Sequence, residues 1–369
     1  MIINIYNKIR VELRNPPTKV SDWFTAELPL MIEHNPENKA DINIEFTRLI
    51  IPPTATLISS AIAVKDKHTY IKDSASSFIK MSFNDLDKDK ITLQVDHSID
   101  PLFFIQVLEP LMQFYITFKK ALFIHASAVK LNQHGVVFSA WAHTGKSNLV
   151  LGMLKRGAGY LADDWTIIDE DNIYAYPKSL NLFNYNFKHY PELKKKAPKK
   201  LRALFALNSL VLKTMSPFAK GNNTIAHYAR EVKQVLDAKG HVRIPLRQAF
   251  PVNQIVGETK LTDLFLIARI NTEEFKYEDM PAETYAQVMS LCLEYERRDF
   301  LSWYRMSQFV NPIIVSRKLN KLANQQKILL QSIAEKHPPK IIHLPEHGQM
   351  NNTVSSIYDL ITNGYEPGF

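Results

Sequence analysis

A short apolar run, Val136-Val-Phe-Ser139, leads into Ala140-Trp-Ala-His-Thr-Gly-Lys-Ser147. Lys146 to Arg156 then carries Leu149, Val150, Met153 and Leu154 at helical spacing, with Gly157 as the stop. A second strand-like run, Tyr160-Leu-Ala162, ends at Asp163-Asp164. Strand, loop, helix and strand in that order call for a sheet with helices packed on it, with the loop at the end of one strand.

Phosphate-binding loops have Gly, four free positions, then Gly-Lys-Ser/Thr. Their backbone N–H groups wrap the phosphates, the Lys neutralises charge, and the hydroxyl helps to hold Mg²⁺. Gly145, Lys146 and Ser147 match the end of that pattern, but Ala140 occupies the first Gly position. A methyl there disfavours positive φ, so the loop is either distorted or uses a backbone angle that Ala tolerates. On this reading Ala140, Trp141, Ala142, His143, Thr144, Gly145, Lys146, Ser147 and Asn148 are the candidate nucleotide contacts.

Seventeen residues separate Lys146 from Asp163, enough for one helix and one strand returning beside the loop. Adjacent side chains at a strand end point to opposite sides. One carboxylate can therefore bind Mg²⁺, whose oxygen preference suits carboxylate, hydroxyl and phosphate, while the other accepts a proton from an attacking hydroxyl. The competing reading of Asp-Asp is a turn or cap with solvated charge. His125, twenty-one residues before Lys146, lies on the strand expected beside the loop. It is either a packed strand residue or a group that donates to an anion and exchanges protons near neutral pH.

Length and composition fit a soluble chain of about two domains. The formal charge of +8 is compatible with an anionic partner, yet no zinc-finger spacing or aromatic-interleaved basic array argues for nucleic acid. Cys292, the single cysteine, excludes an intrachain disulfide and a multi-cysteine metal site, and reads as a small packed side chain. No signal peptide and no apolar run of about 20 residues is present, which makes a cytoplasmic chain without a membrane partner the default.

Residues 1–98 read as a small antiparallel β-rich region, with runs at Ile42–Ile51, Thr69–Lys72, Phe78–Phe83 and Ile91–Val95. Asp100-Pro101 suits a helix start, and the aromatic stripe from Leu102 to Lys120 reads as core packing, with Pro110 expected to kink or split the helix. Leu122–Lys130 reads as one strand, and Trp165–Ile168 with Ile173–Tyr176 as a hairpin. Further on, Leu264–Ala268 suggests a strand, 282–298 and 316–336 helices, and 340–361 a strand–helix unit. Lys194–Lys196, Lys199, Lys200 and Arg202 form basic clusters before an apolar run at Leu204–Leu212. Val242–Gln248 suggests a loop carrying Arg243 and Arg247, which either hold an anionic acceptor or are exposed solubilising charge.

His125-Ala-Ser-Ala-Val129, the 140–147 loop, Lys155-Arg-Gly-Ala158 and Leu161-Ala-Asp-Asp164 together resemble the nucleotide-binding core of the HPr kinase/phosphorylase family, which shares its fold with ATP-dependent phosphoenolpyruvate carboxykinase. The resemblance covers about residues 122–177. It implies a mixed α/β core, of mixed sheet with flanking helices, over residues 99–369. It also implies an ATP- and Mg²⁺-dependent kinase acting on a hydroxyl of a protein, peptide or small molecule. In those terms Asp163 is the base, Ser147 and Asp164 (with Asp163) contact metal, Lys146 contacts phosphate and His125 has an active-site role. The chain departs from the family at Ala140 and at Asn148, where HPr kinases carry Glu, and it lacks the downstream glycine-rich signature. HPr as substrate, and phosphorolysis, are therefore not expected. A weakened nucleotide-binding scaffold and an ATPase module are the rival readings, and a homo-oligomer is left open.

Overall fold

The computed structural model describes residues 1–33, 39–73, 77–142, 144–183, 186–196, 214, 241–271, 275–345 and 350–363. The candidate loop grows out of a six-stranded mixed sheet. Its strand order is Gly159–Ala162, Ala126–Leu131, His134–Ala140, Asp263–Ile270, Lys340–Pro345 and Lys276–Asp279. The first two pairings are antiparallel, the next two parallel, and the last antiparallel.

Alternation along the strands divides the core in two, as the pleat requires. Val136, Phe138 and Ala140, with Phe265, Ile267, Ile342 and Leu344, join the helices Lys146–Lys155 and Met350–Asn363 on one face. Val137, Leu264 and Leu266 join the helices Ala282–Glu296 and Arg317–Lys336 on the other. The parallel pair His134–Ala140 and Asp263–Ile270 is thus buried on both faces, which explains its nearly continuous apolar sequence.

The N-terminal region departs from the expected antiparallel sheet. It is nine-stranded and mixed: Ile9–Arg14, Ile42–Thr47 and Ile91–Asp96 run parallel to one another. The strands Ile2–Ile5 and Ile9–Arg14 and the helix Thr18–Glu27 that follows them were not anticipated. The apolar face of this sheet shares one core with Phe104, Leu108 and Leu111 of the helix Pro101–Thr117 and with Phe300, Trp303, Tyr304, Leu319 and Leu322. Asp100 caps the Pro101–Thr117 helix through Leu102 N–H at 2.8 Å. Pro110 does not split that helix.

Two other expectations are corrected. Leu122–Lys130 is not one strand: Leu122–Ile124 pairs with Thr166–Ile168 in a separate four-stranded sheet, and Ala126–Leu131 belongs to the main sheet. Thr166 Oγ1 donates to the Ala126 carbonyl at 2.7 Å, which holds the hairpin against the break. Val242–Gln248 is not a loop but a strand, His241–Ile244, followed by the short helix Leu246–Ala249. A further helix, Arg298–Val310, occupies a stretch in which none was foreseen. Among the described residues no helix is long and apolar enough to cross a membrane. The run Leu204–Leu212, with Lys199, Lys200 and Arg202, lies outside the described residues.

Candidate functional site

Ala140 is the last residue of its strand, fully buried and in register with Ile267. It is absent from the positive-φ positions, whereas Gly145 has φ +112° and ψ 9° where it caps the helix. The strand end therefore does not need a glycine, and the helix start does. A Cβ on Gly145 would meet Leu344 Cδ1 and Arg269 Nη2 at 3.5 and 3.6 Å, so backbone angle rather than space excludes other residues there. Of the two openings left by the sequence, the second holds: Ala140 occupies a backbone angle that Ala tolerates.

The loop is braced from three sides. Thr144 Oγ1 donates to the Trp141 carbonyl at 2.8 Å, and Arg269 Nε donates to the Thr144 carbonyl at 3.1 Å. Trp141, 47% exposed, packs tilted against Tyr295 with ring centroids 4.6 Å apart. Lys146 is buried and its Nζ donates to the Ala140 and Trp141 carbonyls at 3.0 and 3.1 Å. Burial pulls its ammonium below the usual lysine range, against the attraction of Asp164 and Asp163. His143 lies outside the described residues.

The two carboxylates reach this loop differently. Asp163, buried, accepts from Ser127 Oγ at 2.5 Å and from the Ser147 side chain. Burial, then the neighbouring Asp164 charge, pushes its carboxyl above the ordinary range. Asp164 has φ +72°, and the Ala126 N–H donates to its carbonyl at 3.1 Å. Its Oδ2 accepts from Asn181 Nδ2 at 3.2 Å. Burial works to raise Asp164 too, but His125, Lys178 and Lys146 outweigh it and hold the carboxyl below the ordinary range. The two neighbouring carboxyls are thus shifted in opposite directions, Asp163 up and Asp164 down.

Asp164 and the loop residues Ala142, Thr144, Gly145, Lys146, Ser147 and Asn148 line a cavity of about 310 Å³. His125, Trp165, Asn181, Phe183, Asn186 and Glu296 complete the wall. His125 sits at the break between the strands Leu122–Ile124 and Ala126–Leu131, with its ring tilted over Trp165 at 5.7 Å. Its Nδ1 lies 3.7 Å from Glu296 Oε1 and 3.6 Å from Cys292 Sγ. Cys292 is buried as foreseen, but it faces an imidazole.

Asn148 anchors the far wall. Its Oδ1 accepts from Asn186 Nδ2 at 2.7 Å, and its carbonyl accepts from Tyr190 Oη at 2.7 Å. Asn186 Oδ1 in turn accepts from Phe183 N–H at 2.7 Å. An ionised Glu at 148 would add a further carboxylate to a cavity that Asp164 already lines.

Arg243 and Arg247 do not line the cavity. Arg243 pairs with Glu27 Oε2 at 2.9 Å and lies over Trp23, and Arg247 is exposed on its short helix. Ser127 lies within the His125–Val129 motif but was given no role there, and Asn181, Asn186, Cys292 and Glu296 carry no motif signal. They enter through strand register and tertiary packing, and only the Cys292–Glu296 spacing on one helix hinted that two of them face the same way.

No family model matches the chain, and no curated protein matches it. Among solved structures it is similar to the HPr(Ser) kinase/phosphatase from Coxiella burnetii, at 11% identity and a TM-score of 0.28, covering 65% of this chain and 94% of that one. At that distance the likeness adds nothing to the site, which rests on its own geometry.

Proposed function

We propose that the chain is an ATP-dependent kinase that transfers the γ-phosphoryl group to a hydroxyl of a protein, peptide or small molecule. The observation that carries the reading is one cavity wall holding Lys146, Ser147 and Asp164, with Asp163 hydrogen-bonded beneath Ser147.

The lysine ammonium, now resting on two loop carbonyls, is in reach of phosphate oxygens bound over the loop. The N–H groups at the start of the Lys146–Lys155 helix add a partial positive charge to the same place. Ser147, Asp164 and Asp163 supply the hard oxygens that suit Mg²⁺, and two buried carboxylates that raise each other's cost fit a cation between them. When bound, Mg²⁺ would neutralise charge on the phosphates. Asp163 takes the proton of the acceptor hydroxyl. The acceptor oxygen then bonds to the γ-phosphorus, the bond from that phosphorus to the β–γ bridging oxygen breaks, and ADP departs. His125, which lines the same cavity and whose charge acts on Asp164, holds or donates to the transferring group.

Catalysis of this kind is mostly positioning and charge neutralisation, so binding and transfer should separate on mutation. Lys146→Ala should abolish binding of ATP·Mg²⁺ measured by calorimetry. Asp163→Asn should retain it and stop transfer of label from ATP in an acceptor screen. Asp164, not Asp163, lines the cavity, so a variant pair in which Asp164→Asn alone stops transfer would exchange the two roles. Full turnover in both would refute the kinase reading. Nucleotide binding without transfer to any acceptor would favour the rival reading of a regulatory or scaffold protein. The division of the chain at residue 98 and a cytoplasmic setting belong to the same proposal.

A further inference from the structure

Cys292 and Glu296 are four residues apart on the helix Ala282–Glu296, so their side chains leave the same face, toward His125. His125 Nδ1, Cys292 Sγ and a Glu296 carboxylate oxygen all lie within 4.8 Å of one another. The imidazole nitrogen is 3.6 Å from the sulfur and 3.7 Å from the carboxylate oxygen. Bonds of about 2.3 Å to sulfur and about 2.0–2.2 Å to nitrogen and oxygen, set at tetrahedral angles, place such ligand atoms roughly 3.3–3.6 Å apart. Both distances from the imidazole are therefore within a few tenths of an ångström of such a shell, and the sulfur and carboxylate, within 4.8 Å of each other, need only close on the ion. We infer that His125, Cys292 and Glu296 form a binding site for a zinc-class divalent cation, with the fourth coordination position open to the cavity that His125 and Glu296 line.

The donor set selects this class of metal. One thiolate, one imidazole and one carboxylate suit Zn²⁺ and its analogue Co²⁺, whereas Mg²⁺ prefers all-oxygen shells. With the thiol proton released, the thiolate and the carboxylate balance a dication, so the occupied site carries no net charge beside Lys146. Other roles for the thiol fit less well. Burial, then the Glu296 charge, pushes Cys292 up to about 11, and it sits near a helix C-terminus, where the dipole opposes a thiolate. It is thus a poor nucleophile at neutral pH. A cation held by both groups would offset the Glu296 charge that helps to keep the Cys292 thiol protonated. Metal binding would release the thiol proton and fix the rings and carboxylate of this wall. The inference does not depend on phosphoryl transfer, because three ligands and their spacing define it.

The test uses the full chain, treated with chelator and titrated with Co²⁺ without nucleotide. One equivalent should bind, with a thiolate-to-cobalt charge-transfer absorption and tetrahedral visible bands, both displaced by Zn²⁺. Cys292→Ala should lose the charge-transfer absorption. Glu296→Gln should keep it and weaken affinity by at least about tenfold. Circular dichroism checks that each variant is folded. If Cys292→Ala does not fold, the wild-type spectrum and Glu296→Gln decide the matter. A folded wild type without the charge-transfer absorption, or Co²⁺ affinity unchanged in Glu296→Gln, overturns the site. Since no nucleotide is present, that failure leaves the kinase reading to its own test.

Discussion

The two glycine positions of a phosphate loop are interchangeable in a motif but not in this molecule, and a pair of substitutions separates them. Gly145→Ala forces an L side chain into φ +112°. Its Cβ would have ordinary contacts at 3.5 and 3.6 Å, so no clash contributes and the whole cost is backbone strain, about 1–3 kcal/mol. Ala140→Gly, which restores the motif, acts on an extended and fully buried strand residue. It should cost about 0.5–1 kcal/mol of backbone entropy. Losing the buried methyl should add about 0.8 kcal/mol. Urea unfolding followed by circular dichroism measures both changes, and titration with ATP·Mg²⁺ read by fluorescence of Trp141, in the loop and 47% exposed, measures binding. Both variants should be less stable than the parent, and only Gly145→Ala should bind ATP·Mg²⁺ more weakly. Tighter binding by Ala140→Gly, or a silent Gly145→Ala, would refute the reasoning.

Four more outcomes follow from the described contacts. Asp163→Asn mimics the protonated acid, so at neutral pH it should be as stable as the parent or more so, while transfer falls by about 10²–10⁴-fold. Because burial and Asp164 raise the Asp163 carboxyl, transfer by the parent should be lost on acidification at a higher pH than an ordinary carboxylate would set. The sign for stability is opposite, since protonating Asp163 as pH falls through its raised folded value relieves repulsion. Glu27→Ala should cost about 3–5 kcal/mol in urea unfolding, because it strands the partly buried Arg243 guanidinium along with Ser179 N–H and Oγ, each 2.9 Å from the carboxylate. Asp87→Ala should cost about 1–2 kcal/mol, as its carboxylate accepts from Ser316 Oγ, Arg317 N–H and Lys318 N–H at the start of the helix Arg317–Lys336. Burial works to raise Asp87, but these bonds hold it below the ordinary range, so its contribution is present above the unfolded value and is lost as pH falls through the folded one.

The loop and its surroundings were legible because their signals are local. An apolar strand, an amphipathic helix stopped by Gly157 at φ +88°, and a hairpin closed by Asp169–Asn172 each have a periodic or turn signature. The Asp169 carboxylate accepts two backbone N–H bonds in that turn. The break at His125 was not legible, because Leu122–Lys130 keeps strand character across it and only pairing to two different sheets interrupts it. The parallel pairings of the N-terminal sheet were also hidden. Strand direction is set by the connecting segments, and the helix Thr18–Glu27, which lies in the first crossover, was not anticipated. The cavity's far wall comes from Asn148, Asn181 and Asn186, whose amides carry no pattern and which meet only after folding.

Asp87 and Thr69 belong to the first quarter of the chain, yet their partners Ser316, Arg317 and Ser307 are made more than 200 residues later. At roughly 5–20 residues per second of synthesis, the nine-stranded sheet waits on the order of ten seconds or more for the helices that cover it. During that interval the helix Pro101–Thr117 can already pack on the sheet, but the part of the core that takes Phe300, Trp303, Tyr304, Leu319 and Leu322 has no lid. A chain with this topology should need a chaperone on the ribosome in proportion to how slowly its last quarter is translated.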